Sequence, residues 1–157
     1  MRILDVLARA CAVLAGCLLT LITLMTCASV LGRNFLGATL AGDFELTGVA
    51  TGLAVALFMP WCQLRRGNIL VDFFTAKASA RTTAWLDRSG ALLLAAFMAL
   101  LAWRTALGGA NAWENQSSSM LLGFPDWLVY AGMVPPLVLT AVIALYQSIS
   151  SGESARP

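Results

Sequence analysis

Residues 10–32 read ACAVLAGCLLTLITLMTCASVLG, 23 residues without a charge between Arg9 and Arg33. Placing Asp, Lys or Arg at a bilayer centre costs roughly 2.5 to 3.5 kcal/mol, so the uncharged intervals of a chain mark where it can cross lipid. A crossing helix needs about 20 residues, and two further gaps are long enough, from Glu45 to Arg65 and from Asp126 to Glu153. The interval after Arg88 is shorter, with 15 residues before Arg104, but the stretch from Ala84 to Ala112 is otherwise apolar. Arg104 lies about 24 Å along a helix from Arg88, close to the far interface, where its long side chain can reach headgroups. The pattern predicts an all-α integral membrane fold, one domain over residues 1–157, with spans at about 10–32, 45–64, 84–110 and 127–149.

Composition agrees with that reading. Apolar residues make up 59% of the 157, charged residues 11%, and the mean hydropathy is +0.80. A soluble fold of this size could not cover its surface with so few charges, so the apolar excess faces lipid. Disorder, a disulfide-stapled secreted domain and a soluble nucleic-acid binder are excluded, the last because a net charge of +2 provides no basic domain. The sequence contains no histidine, which excludes His-ligated haem, His-bound zinc and Ser-His-Asp catalysis. No catalytic, cofactor or metal site is expected.

Orientation follows from Lys and Arg counted by side. Arg2, Arg9, Arg65, Arg66, Lys77, Arg81, Arg88 and Arg156 fall on one side, and only Arg33 and Arg104 on the other. Both termini and the central loop are therefore expected in the cytoplasm. Trp61, Trp85 and Tyr146 fall near the inner interface, and Trp103, Trp127 and Tyr130 near the outer one. Leu14-Ala15-Gly16-Cys17 has the shape of a lipoprotein cleavage box. However, the chain continues with Leu18, Leu19, Leu21 and Ile22 where a mature lipoprotein turns polar, so an uncleaved signal anchor is favoured.

Between spans two and three, residues 68–80 mix Ile69, Leu70, Val71, Phe73 and Phe74 with Asp72, Thr75 and Lys77, the pattern of a short amphipathic helix lying in the inner interface. Arg65, Arg66, Lys77, Arg81 and Arg88 would anchor it to anionic lipid rather than to nucleic acid. Cys11, Cys17, Cys27 and Cys62 form no C-x-x-C pair and read as small packing residues. Pro135-Pro136 should kink span four, because proline withholds backbone donors. The mid-membrane segments offer Ser, Thr and Gly, which cannot by themselves bind an ion or anionic substrate tightly.

Glu45 opens span two and shares a helical face with Gly48, Gly52 and Ala56, a small-residue stripe suited to close helix packing. Arg33 ends span one nearby. Two readings stay open: a structural Arg33–Glu45 ion pair that lowers the desolvation cost of both, or two groups that reach water independently, with Glu45 favoured by the helix dipole.

Four patches in order resemble the small membrane subunit (DctQ type) of tripartite ATP-independent periplasmic (TRAP) transporters. They are Arg33-Asn34-Phe35, Glu45, Gly67-Asn68-Ile69-Leu70-Val71-Asp72, and Ser119-x-x-Leu122-x-x-Pro125-x-Trp127-x-x-Tyr130. Asn68 departs from the pattern, since the family often has His there, and any protonation role is lost. The resemblance implies a bacterial inner-membrane scaffold packed on a large membrane subunit that holds the substrate and sodium sites. It also implies a periplasmic binding protein that docks on the outward face and delivers an organic acid. Other classes remain: a small four-helix assembly protein of another complex, or a small multidrug exporter. The exporter would need a membrane-embedded acid in span one, and residues 10–32 contain none.

Overall fold

The computed structural model describes residues 2–37, 42–65 and 80–150. Among these, the chain forms four helices, α1 (Arg2–Leu36), α2 (Asp43–Leu64), α3 (Ala80–Glu114) and α4 (Trp127–Ser150), and each is long and apolar enough to cross a membrane. Their ends carry recognisable stop signals. Gly37 follows α1 in the left-handed conformation at φ 66°, and Gly42 enters α2 at φ 83°, a backbone state that glycine adopts without a Cβ penalty. After α3, Gln116 turns left-handed and the Ser117 amide donates back to the Ala112 carbonyl at 3.1 Å.

The helices lie in an open row in the order α1, α2, α4, α3. α1 packs on α2 and only grazes α4, α2 packs on α4, and α3 packs on α4. At one end Arg9 meets Trp61, Gln63 meets Gln147, and the Ser148 hydroxyl donates to the Arg88 carbonyl. At the other, Ser29 donates to Asp43 and Trp113 stacks edge-on against Trp127 with centroids 4.8 Å apart. Helices consecutive in sequence therefore alternate in direction, and the row neighbours α2 and α4 run parallel.

Two seams hold the row together. On α1 the buried positions are Ala8, Ala15, Ile22 and Ser29, spaced by seven, the period that keeps one stripe facing a single partner helix. Ala50 and Ala54 are buried on α2, and Trp61, seven residues after Ala54, meets α1 at Arg9. Small side chains let these backbones approach, and in lipid it is packing rather than water exclusion that favours association. Between α3 and α4 the core is Met98, Ala102 and Leu137, with Met59 of α2 reaching in. Nearer the hairpin end, Gly108 and Gly109 admit the Tyr130 ring and stem; a Cβ on Gly109 would stand 2.9 Å from Tyr130 Cβ.

The helices exceed the expected spans in two places. α1 extends past 10–32 at both ends, and α3 begins at residue 80 rather than 84 and reaches Glu114. Charges mark the edge of the hydrocarbon, whereas a helix keeps its backbone bonded in headgroups and water as well. The 35 residues of α3 span about 52 Å against a core of about 30 Å. Residue 80 therefore belongs to α3, and the rest of the expected interfacial segment 68–80 lies outside the described residues. Both prolines sit inside α4 without interrupting it.

Candidate functional site, a hairpin clasped on the start of the second helix

The segment between α3 and α4 folds into a compact hairpin. Ser118 and Pro125 form an antiparallel bridge, the Ser119 amide donates to the Phe124 carbonyl at 2.9 Å, and the Asp126 amide donates to Ser117 at 3.1 Å. Ser119 works twice, because its carbonyl accepts from Gly123 and its hydroxyl from the Phe124 amide at 3.3 Å. Gly123 supplies the left-handed residue that closes the turn, at φ 63°. The tip therefore points its apolar side chains outward: Met120 is 98% exposed and Leu121 68%.

Glu45 fastens this hairpin to α2. The Leu121 amide donates to both carboxylate oxygens, at 3.1 and 3.3 Å, and the Leu122 amide donates to Oε2 at 3.3 Å. Successive backbone amides of a turn form an anion-binding concavity, and here the anion is the protein's own side chain. Leu122 closes the joint from the other side: a Cβ on Gly42 would sit 2.6 Å from Leu122 Cγ. Two residues earlier, in the same turn, Asp43 accepts from the Ser29 hydroxyl of α1. The two acids of the first turn of α2 thus tie it to α1 on one side and to the hairpin on the other.

In the structure Glu45 has a partner that neither reading named. The structure does not bring Arg33 and Glu45 together. Glu45 is held by the hairpin amides, and Arg33 is exposed at the end of α1 with no ion pair among the described residues. The physical reason is that the turn offers its amides at the helix start, so the carboxylate needs no cation. Asn34 is exposed beside Arg33.

Most of the remaining singled-out positions find a structural use. A Cβ on Gly52 of the stripe would stand 3.9 Å from Met133 of α4 and Ala56 is buried, whereas the space over Gly48 is open. Trp127 stacks on Trp113, Tyr130 fills the Gly108–Gly109 gap, and Pro125 anchors the hairpin bridge. Arg65 and Arg88 are exposed at the basic end. Arg81 lies in the first turn of α3, while Arg66, Gly67, Asn68, Asp72 and Lys77 lie outside the described residues.

Sequence reasoning missed the hairpin amides as the partner of Glu45, and it missed Gly42 and Gly109 as close-approach positions. It also missed the heptad of buried positions on α1, Ala8, Ala15, Ile22 and Ser29, which hydrophobicity does not mark in a segment apolar on all sides. Inside the helices the hydroxyls are turned back on their own backbones: Thr20 donates to Gly16, Thr23 to Leu19, Thr105 to Leu101 and Thr140 to Pro136, at 2.7 to 2.8 Å. These hydroxyls are satisfied within their own helices.

A family model described as tripartite ATP-independent periplasmic transporters, DctQ component, matches residues 22–152. No curated protein and no solved structure matches significantly.

Proposed function

Because the chain belongs to the DctQ family, the small membrane component of tripartite ATP-independent periplasmic transporters, we propose that it is the fixed scaffold on which a large subunit carries out sodium-driven uptake of an organic acid. The family makes it an inner-membrane transporter component whose partners are the large membrane subunit and a binding protein, and it is not a family of enzymes. The observation that carries the scaffold reading is the open row. Helices that pack mainly on the helix beside them in the row leave both broad sides apolar and uncovered by the other described residues, as a subunit built to be completed by another would. Thr hydroxyls spent on their own carbonyls support the same reading, since a mobile substrate site needs them converging on a ligand.

The basic end is assigned to the cytoplasm and the hairpin end to the periplasm, on the Lys and Arg count. On that assignment the hairpin tip, Phe44 and Arg33 form the surface on which a binding protein docks, and the basic residues of the other end hold anionic lipid. An affinity tag on the large subunit tests the scaffold reading. The untagged chain is expected to co-purify in a fixed ratio, with or without substrate, and recovery of the large subunit alone in a transport-competent form would overturn it.

A further inference from the structure

At the basic end of the α1–α2 seam, two guanidinium groups converge on one indole. Arg9 Cζ lies 5.7 Å from the Trp61 ring centroid and Arg65 Cζ lies 4.6 Å from it. Helical spacing creates this arrangement. Trp61 and Arg65 are four apart on the face of α2 that meets α1, while Arg2, Asp5 and Arg9 share one side of α1. The only carboxylate among the described residues near these cations is Asp5, whose Oδ2 is 3.6 Å from Arg9, with both side chains largely exposed. Such a pair is weak and, among the described residues, leaves most of the local positive charge uncompensated. Arg65 has no ion pair among the described residues. Cation–π contact holds each guanidinium near the ring, yet it also holds two like charges at one site, which an anion placed against both would relieve.

We infer that Arg9, Trp61 and Arg65 form a binding site for a phosphate group, and specifically for the headgroup of an anionic phospholipid. The planar forks of both arginines suit phosphate oxygens, and a tryptophan at a membrane interface stands at headgroup depth. The apolar surface beside the cluster favours a lipid over a free phosphate. Val13 lies one turn further along α1 from Arg9, Phe58 one turn before Trp61 on α2, and both are exposed where an acyl chain would run. The inference rests on this end lying at a membrane surface, but not on the partner subunits.

The test is native mass spectrometry of the purified full-length chain in detergent, offered phosphatidylglycerol and phosphatidylcholine with identical acyl chains. Two arginines near a lipid surface are expected to favour the anionic lipid on the order of tenfold. Arg9→Gln with Arg65→Gln should bring the two lipids close to parity, while Arg104→Gln, which removes one charge elsewhere, should leave the preference intact. Helix content and elution volume report folding, and if the double variant does not fold, each single variant carries the test through a partial loss. A millimolar excess of glycerol phosphate should not displace the lipid. Near-equal retention by the wild type, an unchanged preference in the folded Arg9 and Arg65 variants, or an equal loss in Arg104→Gln would overturn the site. Displacement by glycerol phosphate would make it a site for a soluble anion and overturn the lipid assignment. Failure to co-purify with a large subunit would leave this result untouched, so the two readings fail separately.

Discussion

Glu45 shows how a carboxylate keeps its charge at the head of a membrane helix without a cation beside it. Its two oxygens take up amides of Leu121 and Leu122, and hydrogen bonds to an ionised acceptor are roughly twice as strong as neutral ones. Glu45→Ala is therefore expected to speed hydrogen exchange at the 121 and 122 amides, with Glu45→Gln intermediate, and Arg33→Ala should leave both rates unchanged. A slow-exchanging hairpin in Glu45→Ala would refute the clasp. Glycine provides a second expectation at this scale. Gly109→Ala pushes a methyl to 2.9 Å from Tyr130, an overpacking that costs about 1 to 3 kcal/mol, whereas Gly48→Ala meets nothing within 4 Å and should stabilise the helix by up to about 1 kcal/mol. Comparing the denaturation midpoints of the two variants checks the contrast. The sequence singled out Glu45 beside a small-residue stripe but left open whether it pairs with Arg33 or reaches water. Its partner was not legible. The donors are backbone amides, which every residue carries, and only the turn fixed by Gly123 and Ser119 aims them.

Three of the four spans followed from charge spacing, since desolvating a charge in lipid is costly, and the third in chain order from the otherwise apolar stretch around Arg104. The helix ends did not, because nothing forbids a helix from continuing past its uncharged stretch, and α1 and α3 do so. The α1 seam illustrates a signal that hydrophobicity obscures. In a segment apolar on all sides the buried stripe is marked by small size, and Ala15, fully buried against α2, is as apolar as the lipid-facing leucines around it. Ala15→Leu is expected to part α1 from α2 at a cost of about 1 to 3 kcal/mol, while Leu14→Ala on the exposed side should have little effect. Thermal unfolding followed by fluorescence would check this, and equal effects from the two would place the seam elsewhere. Gly48 belongs to this scale too. Its open face lies on the small-residue stripe beside Gly52 and Ala56, so Gly48→Leu should leave the isolated chain folded but reduce recovery with a large subunit, if that subunit packs there.

At the scale of the whole molecule, an open row of four helices differs from a closed bundle in what it can do alone. A bundle encloses a core that can hold a ligand, whereas a row presents two apolar sides and depends on lipid or on a partner to cover them. The helix directions put the start of α1 and the end of α4 on the side of the basic cluster. Single cysteines in a Cys-less background should thus label from the periplasm at Ser118→Cys and, only after permeabilisation, at Arg65→Cys; the reverse pattern would invert the topology. The row also fixes what a transport assay must find. The most direct measurement is organic-acid uptake into proteoliposomes under a sodium gradient, with the small chain, the large subunit and the binding protein supplied in every combination. The account predicts uptake with all three together and none with the small chain alone. Transport by the small chain alone, of an organic acid or of a cationic dye driven by protons, would contradict it, as would undiminished uptake when the small chain is left out.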